Sequence, residues 1–161
     1  MKKFEMTSEF ITNVLGTKLF RIKALIEFGD VSAGELGGYI EKEENLAQDG
    51  NAWVYGNAKV YGDAEVCGDA KVYGNAEVYG NADYSTVKGF GRIFRTTTFF
   101  RTKDKAIGVN CGCFYGTLEE FRDKVRETHG DSKTAKEYLM LADLMEYKFS
   151  REMDVEEEVN Q

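Results

Sequence analysis

The amino-acid sequence predicts a mainly-β chain whose middle winds into a short three-sided coil, closed at both ends by its terminal segments. Three observations predict this. Residues 51–80 read NAWVYG, NAKVYG, DAEVCG, DAKVYG and NAEVYG, successive units of the form [ND]-A-x-V-x-G. The chain holds 17 glycines and no proline, the composition of regular turns repeated many times rather than of linkers. Strand-like and helix-like segments flank the repeats, and a repeat array this short needs such caps.

Each unit explains its own shape. Ala and Val stand two residues apart and so share one side of a strand. Gly followed by Asn or Asp supplies a corner, because Gly tolerates positive φ and Asn and Asp tolerate it better than most. Four strand residues and a two-residue corner, repeated evenly, make a coil of three sides and about 18 residues per turn. The inward residues are Ala52, Ala58, Ala64, Ala70, Ala76 and Ala82, with Val54, Val60, Val66, Val72 and Val78. NLAQDG (45–50) reads as a degraded unit in the same phase, and NADYST (81–86) keeps the first two positions of the motif. Residues 18 apart then stack at roughly 4.8 Å. Tyr55 falls on Tyr73, Tyr61 on Tyr79, Lys59 on Glu77 and Cys67 on Ser85. Tyr55, Tyr61, Tyr73 and Tyr79 are candidate interface residues that dock a second subunit or the terminal segments, or else cover a solvent-facing sheet.

The caps follow in order. Residues 1–44 form an N-terminal cap, with one or two helical turns over 7–14 begun by Thr7 or Ser8. A strand follows over 19–26, alternating at Phe20, Ile22, Ala24 and Ile26. Gly34, Gly37 and Gly38 mark tight backbone before the repeats of 45–86. Residues 87–150 form the C-terminal cap, a β-hairpin and two helices. Its β-branched and aromatic strand over 92–102 turns at Lys103-Asp104-Lys105 and returns over 106–114. Thr117 and Glu120 form a capping box for a helix with Leu118, Phe121 and Val125 on one face. Gly130 stops that helix. Asp131 or Ser132 caps a second one, with Tyr138, Leu141, Ala142, Met145 and Phe149 as its apolar stripe. The acidic tail, 151–161, reads as a solvated, frayed end.

The repeats resemble those of the left-handed β-helix hexapeptide proteins. With AGELGGYIEKEENL before the coils and RTTTFFRTKD and CGCFYGTLEEF after them, the chain resembles an uncharacterised group of such proteins in bacteria and their phages. The resemblance implies a left-handed coil of two to three turns, a phage or mobile-element origin, and no settled activity. Trimers are common in the resembled scaffold, and a homo-oligomer, dimer or trimer, is the expectation here.

Composition narrows the chemistry. A net charge of −7 argues against a general nucleic-acid binder. Yet residues 88–105 carry six cations against a single acid, Asp104. Three cysteines, an odd number, together with the lack of a signal-peptide core or a 20-residue apolar run, read as a protein of a reducing cytoplasm with no membrane segment. Hexapeptide acyltransferases use a histidine base near the coils, and residues 45–92 contain none. The related carbonic anhydrases need three histidine ligands, and this chain has one, His129. Cys111, Cys113 and His129 match no structural zinc spacing, and no phosphate loop occurs, so neither metal nor cofactor is expected.

The segment that most invites function is RIFRTTTFFR (92–101). Guanidinium forks and hydroxyls suit phosphate or carboxylate oxygens, and aromatic rings can stack on a base. Arg92, Arg95, Thr96, Thr97, Thr98, Phe99 and Arg101 are therefore the candidate ligand-binding residues. Arg95, Thr97, Phe99 and Arg101 fall on one strand face. The same segment also reads as an amphipathic strand whose arginines pair with the chain's many acids. The expected function is a non-catalytic, oligomeric binding protein that captures an anionic, nucleotide-like ligand. Under the phage resemblance, this would sequester a host immune signal. The alternative is a protein–protein inhibitor or assembly module that acts through the tyrosine faces and acidic surface.

Overall fold

The computed structural model describes residues 1–150, and the acidic tail expected at 151–161 lies outside the described residues. The fold is mainly β with two helices.

The N-terminal cap opens on a hairpin. Strand β1 (Phe4–Thr12) pairs antiparallel with β2 (Lys18–Ala24), from Phe4 opposite Ala24 to Thr12 opposite Lys18. The helical turns expected over 7–14 do not form, because Phe10, Ile11 and Thr12 pair with Phe20, Leu19 and Lys18. The Asn13 side chain closes the turn, its carbonyl accepting from the backbone N–H groups of Leu15 and Thr17 at 3.0 and 2.9 Å. The β2 strand then pairs antiparallel with β3 (Leu36–Ile40).

The coil follows from β3. Each repeat yields only a two-residue strand: β4 (Trp53–Val54), β5 (Lys59–Val60), β6 (Lys71–Val72) and β7 (Glu77–Val78). Val54 pairs with Val72 and Val60 with Val78, in parallel and 18 residues apart, and β3 joins the second side by pairing Ile40 with Val60. Ala52, Ala58, Ala64, Ala70 and Ala76 and all five valines are buried, as their spacing predicts. Two expectations need correction. Leu46 bridges Val66, so NLAQDG is out of phase with the units that follow. The buried Asn45 side chain holds the widened corner, accepting from Glu41 N and Lys42 N and donating to Gly62 O and Ala64 O. Ala82 is exposed, because the coil has ended by Gly80 and residues Asn81–Asp83 form a short turn.

The C-terminal cap is larger than a hairpin. Strands β8 (Tyr84–Phe90), β9 (Arg95–Arg101), β10 (Ile107–Cys111) and β11 (Phe114–Thr117) form one antiparallel sheet in the order β11-β10-β9-β8. Ser85 therefore pairs with Phe99 and does not stack on Cys67. The single strand expected over 106–114 breaks at Gly112, whose φ of +60° makes a tight turn there. Helices α1 (Leu118–His129) and α2 (Lys133–Phe149) follow. Thr117 and Glu120 form the capping box, and Ser132 rather than Asp131 caps α2. The sheet lies between two apolar clusters. Phe100 belongs to the coil core, while Phe99 and Val109 pack with Phe121, Tyr138, Ala142 and Met145 of the helices.

Candidate functional site

Alternation along β9 decides what each predicted residue can do. Thr98 and Phe100 face the coil, where Thr98 Oγ1 accepts a hydrogen bond from Lys71 N at 3.1 Å. Thr97 and Phe99 face the helices. Thr97 Oγ1 donates to Cys111 Sγ at 3.2 Å, and the Phe99 ring meets Phe121 edge-on at 6.0 Å. Thr97, Thr98 and Phe99 are each at most 1% exposed, so they hold the layers together and offer no surface. Arg101 is half-buried and committed. Its Nε donates to Asp83 Oδ1 and its Nη2 to Phe149 O, both at 3.0 Å, with the guanidinium 5.5 Å from the Phe149 ring.

Arg92, Arg95 and Thr96 stand apart from these. Arg92 and Arg95 line a cavity of about 340 Å³ between the sheet and the helices. Its apolar wall is Phe114, Phe121 and Val125. Lys124 and His129 add polar nitrogen at the rim, and Cys111, Cys113 and Tyr138 complete the lining. Arg95 is half-buried and forms no ion pair or side-chain hydrogen bond among the described residues. Its guanidinium lies directly against Gly112, where a Cβ would collide with it. Gly91 plays the same part for the Tyr138 hydroxyl. The pKa of Tyr138 is pushed up to about 12, chiefly by burial and next by the neighbouring Cys111 thiol, against the opposing Arg95 charge. Tyr138 is thus a neutral hydroxyl at pH 7, able to donate to a ligand.

Thr96, with Arg95, lines a second cavity of about 440 Å³ toward the coil. There Asp30 anchors a small network. Tyr55 donates to it at 2.7 Å and Lys71 at 3.0 Å, and the Tyr55 bond first and the Lys71 contacts next hold its carboxyl below the usual range. Burial and that same bond push the Tyr55 hydroxyl far upward.

The four tyrosines divide. Tyr55 stacks on Tyr73 at 4.0 Å and 6°, and Tyr115 of β11 covers Tyr73 at 5.6 Å, so this ladder meets the chain's own C-terminal cap. Tyr61 meets Tyr79 edge-on at 5.4 Å, and Tyr79 is 60% exposed. One wall of the first cavity comes from α1. Phe121, Val125, Thr128 and His129 recur at i, i+4, i+7 and i+8, the one signal in the chain for that face. Among the described residues, no group of three or more His, Cys, Asp or Glu could hold a metal ion, and no helix is long and apolar enough to cross a membrane.

No family model matches the chain. The chain is 42% identical over 62 residues to a protein of Escherichia coli (strain K12) named uncharacterized acetyltransferase YdcK. The match covers 34% of this chain and spans only 19% of that relative, so the likeness is to a part of it.

Proposed function

We propose that this protein is a non-catalytic binding protein for a small anionic ligand with an aromatic ring, nucleotide-like in character, held between the C-terminal sheet and the helix pair. The observation that carries the reading is Arg95, a half-buried guanidinium that forms no ion pair among the described residues and lines a cavity of ligand size. Arg92 and Lys124 add positive charge, and the half-buried Phe114 supplies a face for a ring. The reading takes the coil as the left-handed hexapeptide type, which the [ND]-A-x-V-x-G units and the parallel pairing at 18 residues support. The resemblance to a bacterial and phage group favours sequestration of a host signal nucleotide, by an oligomer, as its use. A thermal-shift screen with mono-, di- and cyclic nucleotides tests the reading. At least one should raise the melting temperature of the wild type by several degrees and leave Arg95→Ala unmoved. A shift that survives Arg95→Ala overturns the assignment.

The partial likeness to YdcK favours a second reading, acyl transfer. Its base would have to be His129, which lines the same cavity. Release of free thiol from an acyl-CoA that His129→Ala abolishes would establish it.

A further inference from the structure

We propose that the ligand is bipartite: a phosphate or pyrophosphate diester that joins an aromatic base to an uncharged polyol, with its phosphate on Arg95 and one arm in each cavity. The inference rests on the function proposed above and adds the second arm. Arg95 is the one residue that lines both cavities. The guanidinium packs on the backbone of Gly112, which itself lines the second cavity, so the fork lies where the two spaces adjoin.

The two cavities differ in chemistry. The first is apolar on one wall and its cations outnumber its acids, which suits a ring beside a phosphate. The second is lined largely by polar and charged residues and is nearly charge-balanced without any ligand. Lys71 pairs with Asp30 at 3.0 Å and Lys88 with Asp69 at 3.5 Å. Thr96 and Asn110 add hydroxyl and amide groups. A second anion there would meet two carboxylates, and a second cation two ammonium groups. A polyol meets carboxylates that accept from its hydroxyls and ammonium groups that donate to its oxygens. Among the described lining residues Arg95 supplies the unbalanced charge, and it lines both spaces.

The test compares diphosphates with their polyol esters by calorimetric titration: ADP with ADP-ribose, and CDP with CDP-glycerol. At least one ester should bind about 100-fold tighter than its diphosphate, the gain expected when a second contact becomes intramolecular. Asp69→Trp, at a half-exposed coil corner lining only the second cavity, should bring that ester to within threefold of its diphosphate. Thr128→Trp, on the exposed rim of the first cavity, should weaken ester and diphosphate alike. If the diphosphates bind through Arg95 and neither ester binds tighter, the bipartite site is wrong and the anion site stands. If an ester's advantage survives Asp69→Trp, the second cavity is wrongly assigned. If none of the four compounds binds, both readings fall.

Discussion

The ammonium of Lys3 is sealed under the N-terminal cap, 2% exposed, and its charge sets a pH dependence for folding. Its Nζ donates to Ala52 O at 2.8 Å and lies 4.8 Å above the Phe28 ring. Burial lowers its pKa from 10.5 to about 8, against the weaker pull of Asp49. The folded chain therefore releases this proton near pH 8, while the unfolded chain keeps it to above pH 10. Across that window the unfolded state binds more protons, so stability rises with pH by up to about 1.4 kcal/mol per unit. The gain from pH 7 to 10 is about 2.5 kcal/mol and is absent below pH 7. Above pH 10 the sign reverses. Tyr55, Tyr61 and Tyr84 are held protonated in the folded state, each first by burial, and the unfolded chain ionises them sooner. Stability should thus peak near pH 10. Urea unfolding under reducing conditions, followed by the fluorescence of Trp53, reads this directly. Trp53 is the single tryptophan, fully buried, with its ring 5.3 Å from that of Phe28. The midpoint should climb by about 0.5 M urea between pH 7 and 9, and Lys3→Met should flatten the climb. Equal slopes for wild type and Lys3→Met would refute the reasoning.

Two further substitutions probe the packing by the same urea assay. Arg122 is 8% exposed and joins the helices by bonding the exposed carboxylates of Glu119, Asp143 and Glu146, so Arg122→Ala should cost about 1–2 kcal/mol, mostly from lost packing of its stem. A loss below 1 kcal/mol would show that the helices hold without it. Gly38→Ala would place a Cβ 2.5 Å from Ala58 O and 2.7 Å from Val54 Cγ1, with no flexible neighbour to yield. It should cost more than about 3 kcal/mol or abolish folding, whereas Gly56→Ala, with open space around its Cβ, should cost only the strain of its positive φ.

The coil was legible because its chemistry is local: each unit carries its own inward Ala and Val and its own corner. What sequence reasoning missed depends on distant partners. The phase break at Asn45 rests on carbonyls of Gly62 and Ala64, a full turn away. The β1 strand exists through pairing with β2, and its own segment shows no clean alternation. On β9, residue types singled out Arg95, which lines two cavities, yet period-2 reasoning leaves one face of a strand free. Both faces are covered here, which removes Thr97, Thr98 and Phe99 from any surface. The apolar wall from α1 was hidden because a stripe that lines a cavity and one that fills a core have the same spacing.

The two ends of β9 separate a binding arginine from a structural one. The strand gives one face to the coil and the other to the helices, so only its ends reach past both layers. At one end Arg101 meets Asp83, Phe149 O and the Phe149 ring; at the other, Arg95 meets no acid among the described residues. A half-buried charge without a partner gives up hydration and gains nothing in return, so in the empty protein Arg95 should be neutral to unfavourable for folding. Arg101→Met breaks an existing pair and should destabilise the protein by about 2–3 kcal/mol, because it leaves Asp83 uncompensated. Arg95→Met should change stability by less than about 0.5 kcal/mol or raise it, while removing ligand binding. That opposition, from chemically identical substitutions six residues apart, is what a site predicts. If Arg95→Met destabilised the empty protein as much as Arg101→Met does, the guanidinium would be bracing the fold, and Arg95 would carry no argument for a ligand.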